Sequence, residues 1–441
     1  MKNYIQLQLT PRIISWSVRW RRLRIYRVLA ETAAVIFPFI LLGSIIQAIN
    51  TSMFMPQGFF SQVYHLSTVI PFYTQIRDLL ILLEAVTINM MGPVTAFLAA
   101  KFMAHTYQKD ETLAGVTSTL SFFAFNLNFG TGPRDTFLMQ NFGYRGIFLA
   151  FLLGITIGYA FRLVKRTEMP TFKNSDLADR MTASLHHVLL INAILVISLL
   201  ISYGVSYFNS AGLIGLFYSF LRIPLASVSS HISVRLALVT LINAILWWAG
   251  IEGPLNVNTA FQQGESPTIT QNLNYALEHN DLFNVPNPVT MNTTYYPFAN
   301  FGGVGMMLAL IIATLIVAKR PSTRNIAKLS LLPSLVNVPG PMLVGLPVIL
   351  NPLLLIPFIL TPLVNQSIAW ATIRLHIMPP VVYSVPSSTP GPLMAFLGTN
   401  GNWVALIVSL ICLAVSTLIY IPFVKLSTRV TAEVLEEEEK A

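Results

Sequence analysis

The sequence predicts an all-α polytopic membrane protein with about ten transmembrane helices and re-entrant hairpins in its C-terminal half. Three observations carry that prediction. The 441 residues are 54% hydrophobic and only 10% charged, with a mean hydropathy of +0.64, whereas an ordinary soluble domain presents about 25% charge. The apolar residues gather in runs of the roughly 20 residues a helix needs to cross a hydrocarbon core, and no strand-like alternation competes with them. Glycine and proline then interrupt the sequence between 250 and 362, in Gly-Ile-Glu-Gly (250–253), Phe-Gly-Gly-Val-Gly (301–305) and the run from Pro339 to Pro362. Broken backbone at membrane depth is tolerated only where it lines a cavity or is buried in protein, so these breaks point to a polar route through a bilayer.

Residues 1–27 read as a basic amphipathic, cytoplasmic lead-in. Lys2, Arg12, Arg19, Arg21, Arg22, Arg24 and Arg27 precede the first apolar run, a basic stretch longer than that of a cleavable signal peptide. Ile13, Ile14, Trp16, Val18, Trp20, Leu23 and Ile25 interleave with them, as in a helix lying in the membrane interface. Apolar runs near 28–49, 77–103, 112–128, 144–164 and 186–208 make 28–208 an N-terminal scaffold domain of about five helices. With the N-terminus inside, alternation puts Lys101–Lys109 inside, the 129–143 loop outside and the Arg162–Arg180 stretch inside. Arg162, Lys165, Arg166, Lys173 and Arg180 on that last stretch agree with the positive-inside rule.

Residues 209–232, less apolar and carrying Arg222 and Pro224, read as an amphipathic connector to a second domain over 233–427. An apolar run at 233–249 opens it. Residues 251–300 then hold no Lys or Arg, four acids (Glu252, Glu265, Glu278, Asp281) and many Asn, Thr and Gln. They suit either a long external loop or a segment folding back into the protein. A span at 301–318, a basic loop with Lys319, Arg320, Arg324 and Lys328, a broken stretch at 329–343, apolar material over 344–365 and 366–382, and a last span near 402–423 complete the domain. Residues 428–441, with Glu433 and Glu436–Glu439, form an acidic cytoplasmic tail that is either a solvated helix end or disordered.

Composition excludes several function classes. The net charge of +9 sits at the ends of apolar runs, as cytoplasmic loops require, and does not indicate nucleic acid. The single cysteine, Cys412, lies inside an apolar run and acts as a small packing residue. The glycines at 302, 303 and 305 have no preceding strand and so do not form a dinucleotide loop, and no Walker loop is present to hydrolyse ATP. The seven histidines have no metal-ligand spacing, and the adjacent pair His186–His187 is expected at the membrane interface. No catalytic residue, metal or cofactor is expected in this chain.

Glu252 is the most suggestive single residue. A carboxylate near a helix centre costs about 2.5–3.5 kcal/mol to insert, so it faces a cavity or a partner unless it lies at the membrane surface just past the 233–249 helix. For Asp78, Glu84 and Glu31, helix-end solvation or an inter-helix hydrogen bond is the simpler expectation. Lys101 and Arg162 are expected to snorkel toward the interface.

The stretches 243–253 (Asn-Ala-Ile-Leu-Trp-Trp-Ala-Gly-Ile-Glu-Gly), 301–309 (Phe-Gly-Gly-Val-Gly-Met-Met-Leu-Ala) and 345–365 (from Gly-Leu-Pro-Val-Ile-Leu-Asn-Pro to Pro-Leu-Val-Asn) resemble the membrane permease, enzyme IIC, of the bacterial phosphoenolpyruvate-dependent phosphotransferase system. The lactose/cellobiose/diacetylchitobiose branch is the one they resemble. Val385-Pro-Ser-Ser-Thr-Pro and Ile419-Tyr-Ile-Pro-Phe-Val-Lys are similar to its C-terminal signatures. The resemblance implies a homodimer in the bacterial inner (plasma) membrane with both termini cytoplasmic. It also implies an N-terminal dimerisation domain and a C-terminal transport domain that binds a disaccharide or glycoside for phosphorylation by a separate enzyme IIB, which works with enzyme IIA. Sugar, those two proteins and membrane lipid are the implied partners.

Three departures fall at the implied ligand positions. The family's Gly-Ile-His-Gly has Glu252 in place of the histidine. Its Asn-x-Asn-Glu-Pro appears as Asn337-Val-Pro-Gly340-Pro341, so a glycine replaces the carboxylate at the reacting hydroxyl. Its Pro-Trp-Thr-Thr-Pro appears as Pro386-Ser387-Ser-Thr-Pro, so a sugar-stacking aromatic becomes serine. Glycine can neither orient a hydroxyl nor accept its proton. The resemblance therefore implies a substrate site with Trp247 as wall, Glu252 as a substitute carboxylate, Asn337 as hydrogen-bonding partner, Gly340 and Pro341 at a hairpin tip, and Ser387 beside them. The alternatives are a degenerate paralogue, acting as an uncoupled carrier or a regulatory partner without phosphotransfer, and proton-coupled transport through Glu252 and Glu84.

Overall fold

A computed structural model describes residues 14–127, 129, 137–163, 181–182, 185–208, 212–221, 232–253, 255 and 260–439. Residues 1–13 of the lead-in, 164–180 of the basic stretch, 209–211 and 222–231 of the connector, 254 and 256–259 of the 251–300 segment, and 440–441 of the tail lie outside the described residues. The described chain is helical, with one isolated bridge between Leu127 and Phe137 and no strand.

Among the described residues, six helical stretches are long and apolar enough to cross a membrane: Arg24–Tyr64, Tyr73–Thr106, Tyr144–Leu163, Val188–Phe208, Pro352–Arg374 and Trp403–Glu437. The apolar runs at 112–128, 233–249 and 301–318 fold as the shorter helices Glu111–Phe125, Ile232–Trp248 and Met307–Val317. Local chemistry sets their ends. The Asp110 carboxylate accepts from the Leu113 N–H at 2.9 Å and starts the first, a glycine cap ends the second, and a glycine turn consumes the front of the third. The two runs at 344–365 and 366–382 are replaced by one helix of 23 residues, Pro352–Arg374, which accommodates Pro357 and Pro362. The acidic tail, as far as Glu439, continues the last helix.

The chain forms two compact units. The smaller comprises Arg21–Pro38 and Val86–Ile223. Its helices Met91–Thr106 and Tyr144–Ala160 approach nearly backbone to backbone. Gly154 and Gly158 lie one turn apart, and a Cβ on them would come 2.5 Å from the Ala99 Cβ and 2.7 Å from the Ala100 carbonyl oxygen respectively. Fully buried Ala96, Ala99, Ala100 and Ala104 form the facing stripe, the small-residue contact by which helices associate where burial from water supplies no drive. Arg162 spreads over the Tyr107 ring at 5.6 Å, and Arg24 does so at 5.1 Å. His187, expected at the interface, is buried and stacked on Phe161 at 5.8 Å.

The larger unit comprises Met1–Trp20, Phe39–Ala85 and Pro224–Ala441. Met307–Val317 is its axis: Met307, Leu308, Ala309, Leu310 and Ile311 are all buried, packed with Phe358 and Tyr420 from the two long C-terminal helices. A helix apolar all round belongs in a core. Residues 14–20 are helical and dock here: Val18 packs with Leu353 and Val430, and the Trp20 indole donates to the Leu350 carbonyl at 3.1 Å. Glu84 accepts from Gln47 Nε2 at 2.9 Å and from Asn50 Nδ2 at 3.3 Å, the inter-helix bonding expected of it. Asn50 opens a π-helical turn, Asn50–Phe54.

Candidate functional site

Three interruptions of helix in the larger unit build the site. The first ends Ile232–Trp248. Gly250, at φ 84°, donates to the Trp247 carbonyl at 3.0 Å, and Ile251 donates to that of Leu246 at 2.9 Å. This is a Schellman cap, which needs a left-handed residue and so a glycine. It sets Glu252 just past the helix end with 7% of its surface exposed. Asn243 anchors the chain beyond the cap, accepting from Leu255 N at 3.1 Å and donating to Tyr295 Oη at 3.3 Å.

The second interruption pairs 300–306 with 337–341. Gly303 has φ 94°, and a Cβ there would lie 2.7 Å from the Pro339 ring, so only glycine lets the two loops touch. Asn337, itself left-handed at φ 65°, accepts from Gly302 N at 3.0 Å. Its amide donates at 2.9 Å to both the Ser387 and Thr389 carbonyls, which belong to the third interruption. One carboxamide therefore joins three stretches of non-helical backbone. Long helices satisfy the remaining groups: Asn365 Nδ2 donates to the Phe298 carbonyl at 3.1 Å, and Thr361 and Tyr420 both donate to that of Gly305. This is how backbone that leaves the helix is kept paired in an apolar setting.

Beside these loops lies a cavity of about 240 Å³, lined from 269–300 and 381–394. Its polar wall includes Thr290, Thr293, Asn300 and Ser387, and Tyr296 and Tyr383 supply aromatic surface. No acidic or basic side chain is among the described residues that line it. Tyrosine offers an apolar face and a polar edge together, so the cavity can stack on and hydrogen-bond to a neutral polyhydroxylated ligand. Asn272 also lines it, but its amide is taken up by the Asn287 backbone at 2.8 Å on both atoms.

Of the six residues anticipated for the site, Ser387 lines this cavity. Asn337 acts one step behind it, committed to backbone. Gly340 and Pro341 are buried and open the helix Gly340–Gly345. Trp247 packs against the core cluster of Met307–Val317, with its indole N–H buried and unpartnered among the described residues. Trp247 and Glu252 are joined to the rest through Trp248, whose carbonyl accepts from Leu350 N at 2.9 Å and whose indole donates to the Asn351 carbonyl at 2.8 Å. Sequence reasoning missed Asn300, Tyr296 and Tyr383. Asn300 was within reach, as the polar residue abutting the glycine turn in Phe-Ala-Asn-Phe-Gly-Gly.

Comparison with known proteins bears on this arrangement. The chain matches the family described as "Phosphotransferase system, EIIC" over residues 31–362. It is 30% identical over 259 residues to a cellobiose-specific EIIC component of Lactococcus lactis subsp. lactis, a match spanning 54% of this chain and 51% of that protein. It is 22% identical over 408 residues to an oligo-beta-mannoside-specific EIIC component of Bacillus subtilis, spanning 91% of this chain and 89% of that one. The crystal structure of ChbC, the IIC component of the N,N'-diacetylchitobiose-specific system, aligns over 99% of both chains with 20% identity and a TM-score of 0.44. The family match covers well over half of the chain and includes the first two helix breaks, and with it this membrane protein is a member of the phosphotransferase system EIIC family.

Proposed function

We propose that the chain is a permease of the lactose/cellobiose/diacetylchitobiose branch, translocating a disaccharide or glycoside for phosphorylation by a separate enzyme IIB served by enzyme IIA. The cavity carries this reading: its lining is neutral, hydrogen-bonding and aromatic, the chemistry that recognises sugar. Relatives named for cellobiose and for oligo-β-mannosides support the substrate class. In this reading 28–208 is the dimerising scaffold and 233–427 the moving transport domain, joined by 209–232. The short helices Met291–Thr294, Tyr296–Ala299, Gly340–Gly345 and Gly391–Gly398 are parts of re-entrant hairpins within a fold of about ten spans. Both termini are cytoplasmic in a bacterial inner-membrane homodimer, in keeping with the packing of Val18 on Val430. Trp247, Glu252, Asn337, Gly340, Pro341 and Ser387 form or support the sugar site.

The test is uptake of a radiolabelled sugar panel into cells expressing the chain with its phosphate-donating partners, scoring the internal product. Phosphorylated sugar is the expected result. In the same assay Glu252→Gln abolishes uptake if that acid replaces the one missing at 340, and a fully active variant removes that role. Gly340 and Ser387 favour one other reading, an uncoupled or regulatory paralogue. Free sugar inside the cell, or none across a broad panel with folded protein in the membrane, would establish it.

A further inference from the structure

We propose that Asn300 is the residue that selects the ligand, reading one hydroxyl of a single neutral sugar ring held in the 240 Å³ cavity. This rests on the cavity being the sugar site. Asn300 lines the cavity and is 9% exposed, and its Oδ1, shielded from solvent, has no hydrogen-bond partner among the described residues. A buried acceptor left unpaired is unfavourable, and a ligand O–H reaching it removes that deficit. A ring lacking the hydroxyl leaves it in place, so discrimination comes from the protein's own unpaired atom.

The surroundings hold the backbone of Asn300 in place. It caps the helix Tyr296–Ala299, and its carbonyl accepts from Gly303 N at 3.0 Å. The next residue, Phe301, is fully buried, and the glycine turn beyond is pinned by Asn337 and Pro339. With the backbone placed this way, a rotation of the side chain alone is enough to present Oδ1 to a ligand, so little of the loop has to be reordered on binding. The cavity falls below the roughly 300 Å³ lower end of small-molecule sites, so it takes one pyranose ring, either free or as one residue of a longer glycoside. With no basic side chain among its described lining residues, a phosphorylated ring is a poor ligand.

The experiment is direct binding to the purified full-length protein in lipid nanodiscs, by calorimetry. Methyl glycosides of neutral hexoses are screened first, then each monodeoxy analogue of the tightest binder. Wild type is expected to lose affinity roughly tenfold for one deoxy position and little for the others. Asn300→Leu binds the parent glycoside and that analogue equally, both at the weaker level, whereas Asn300→Asp keeps an acceptor and keeps discriminating. Should Asn300→Leu fail to fold, Asn300→Ser serves as the shortened side chain. Discrimination unchanged in the Leu or Ser variant, or lost equally in Asp, overturns the role of Asn300 and leaves the cavity as the sugar site. Failure of every neutral glycoside to bind wild type overturns the sugar site itself.

Discussion

Replacing Asn337 by alanine tests whether one amide really holds three loops together. The variant loses the bond from Gly302 N at 3.0 Å and the two donated to Ser387 and Thr389 at 2.9 Å. A net hydrogen bond contributes about 0.5–1.5 kcal/mol. The bond to Ser387 is open to solvent and belongs at the low end of that range, whereas the other two are partly buried. Alanine must also adopt φ 65°, which costs roughly 1–2 kcal/mol in a residue with a Cβ and no local polar group. The variant should lose about 3–4 kcal/mol of unfolding free energy, with sugar affinity falling because the 387–389 stretch borders the cavity. Ser387→Ala is the control. Asn337 bonds to the Ser387 carbonyl, so removing that hydroxyl should change stability by less than about 0.5 kcal/mol. Denaturant titration in detergent micelles measures both. A loss below about 1 kcal/mol in Asn337→Ala would refute the account.

The same geometry sets two further outcomes. Gly303→Ala drives a Cβ into the Pro339 ring at 2.7–2.8 Å with φ at 94° and should cost at least about 3 kcal/mol; wild-type unfolding and sugar binding would count against the loop contact. Asp281 is held below the usual carboxylate range by Asn284 and by the Phe283 N–H. Its bonds therefore stabilise the 280–287 turn fully above the ordinary value of about 3.9 and stop doing so as pH falls through the lower folded value. Protease protection of that turn should hold at pH 5 and decline only in stronger acid, and Asp281→Asn should remove the acid step.

Helix breaks were legible because they are local. Gly250, Gly303 and the Asn337–Pro341 turn interrupt the chain where residue chemistry says they must, and each was visible in the sequence. The groups that replace the lost helical hydrogen bonds were not visible. Thr361 and Asn365 look like ordinary small polar residues in an apolar run, and only packing shows them turned toward the carbonyls of Gly305 and Phe298. The helix Ala260–His279 was hidden for the opposite reason. It is rich in Gln, Asn and Thr and contains Pro267, so propensity favoured a loop, and its seating beside the cavity through Ile269 and Asn272 is a long-range effect. The cavity itself needed residues from 269–300 and 381–394 together, a pairing no single motif encodes. Glu252 stood out in the sequence by its charge, whereas Asn300 is chemically ordinary and gains its importance from being buried with an atom to spare.

Ser387 separates sugar binding from the phosphorylation step. The resemblance places an aromatic at 387, and its replacement by serine suggests a lost stacking surface. The cavity contains Tyr296 and Tyr383 all the same, so on the proposed function stacking is available from other positions and the space beside Ser387 is left for ligand. No such substitution is seen for Gly340, since no acidic side chain is among the described residues lining the cavity. On the proposed function, binding is retained by rearrangement, while activation of the reacting hydroxyl falls to Glu252, which is not among the cavity's lining residues, or to the partner protein. Ser387→Trp distinguishes this arrangement from a weakened copy of the parental site. Position 387 is exposed, so the larger side chain should leave stability unchanged. An indole directed into a 240 Å³ cavity that already holds two tyrosines should displace ligand, lowering sugar affinity at least about tenfold. Tighter binding would mean that stacking at 387 is still what the site lacks, and that Tyr296 and Tyr383 do not replace it.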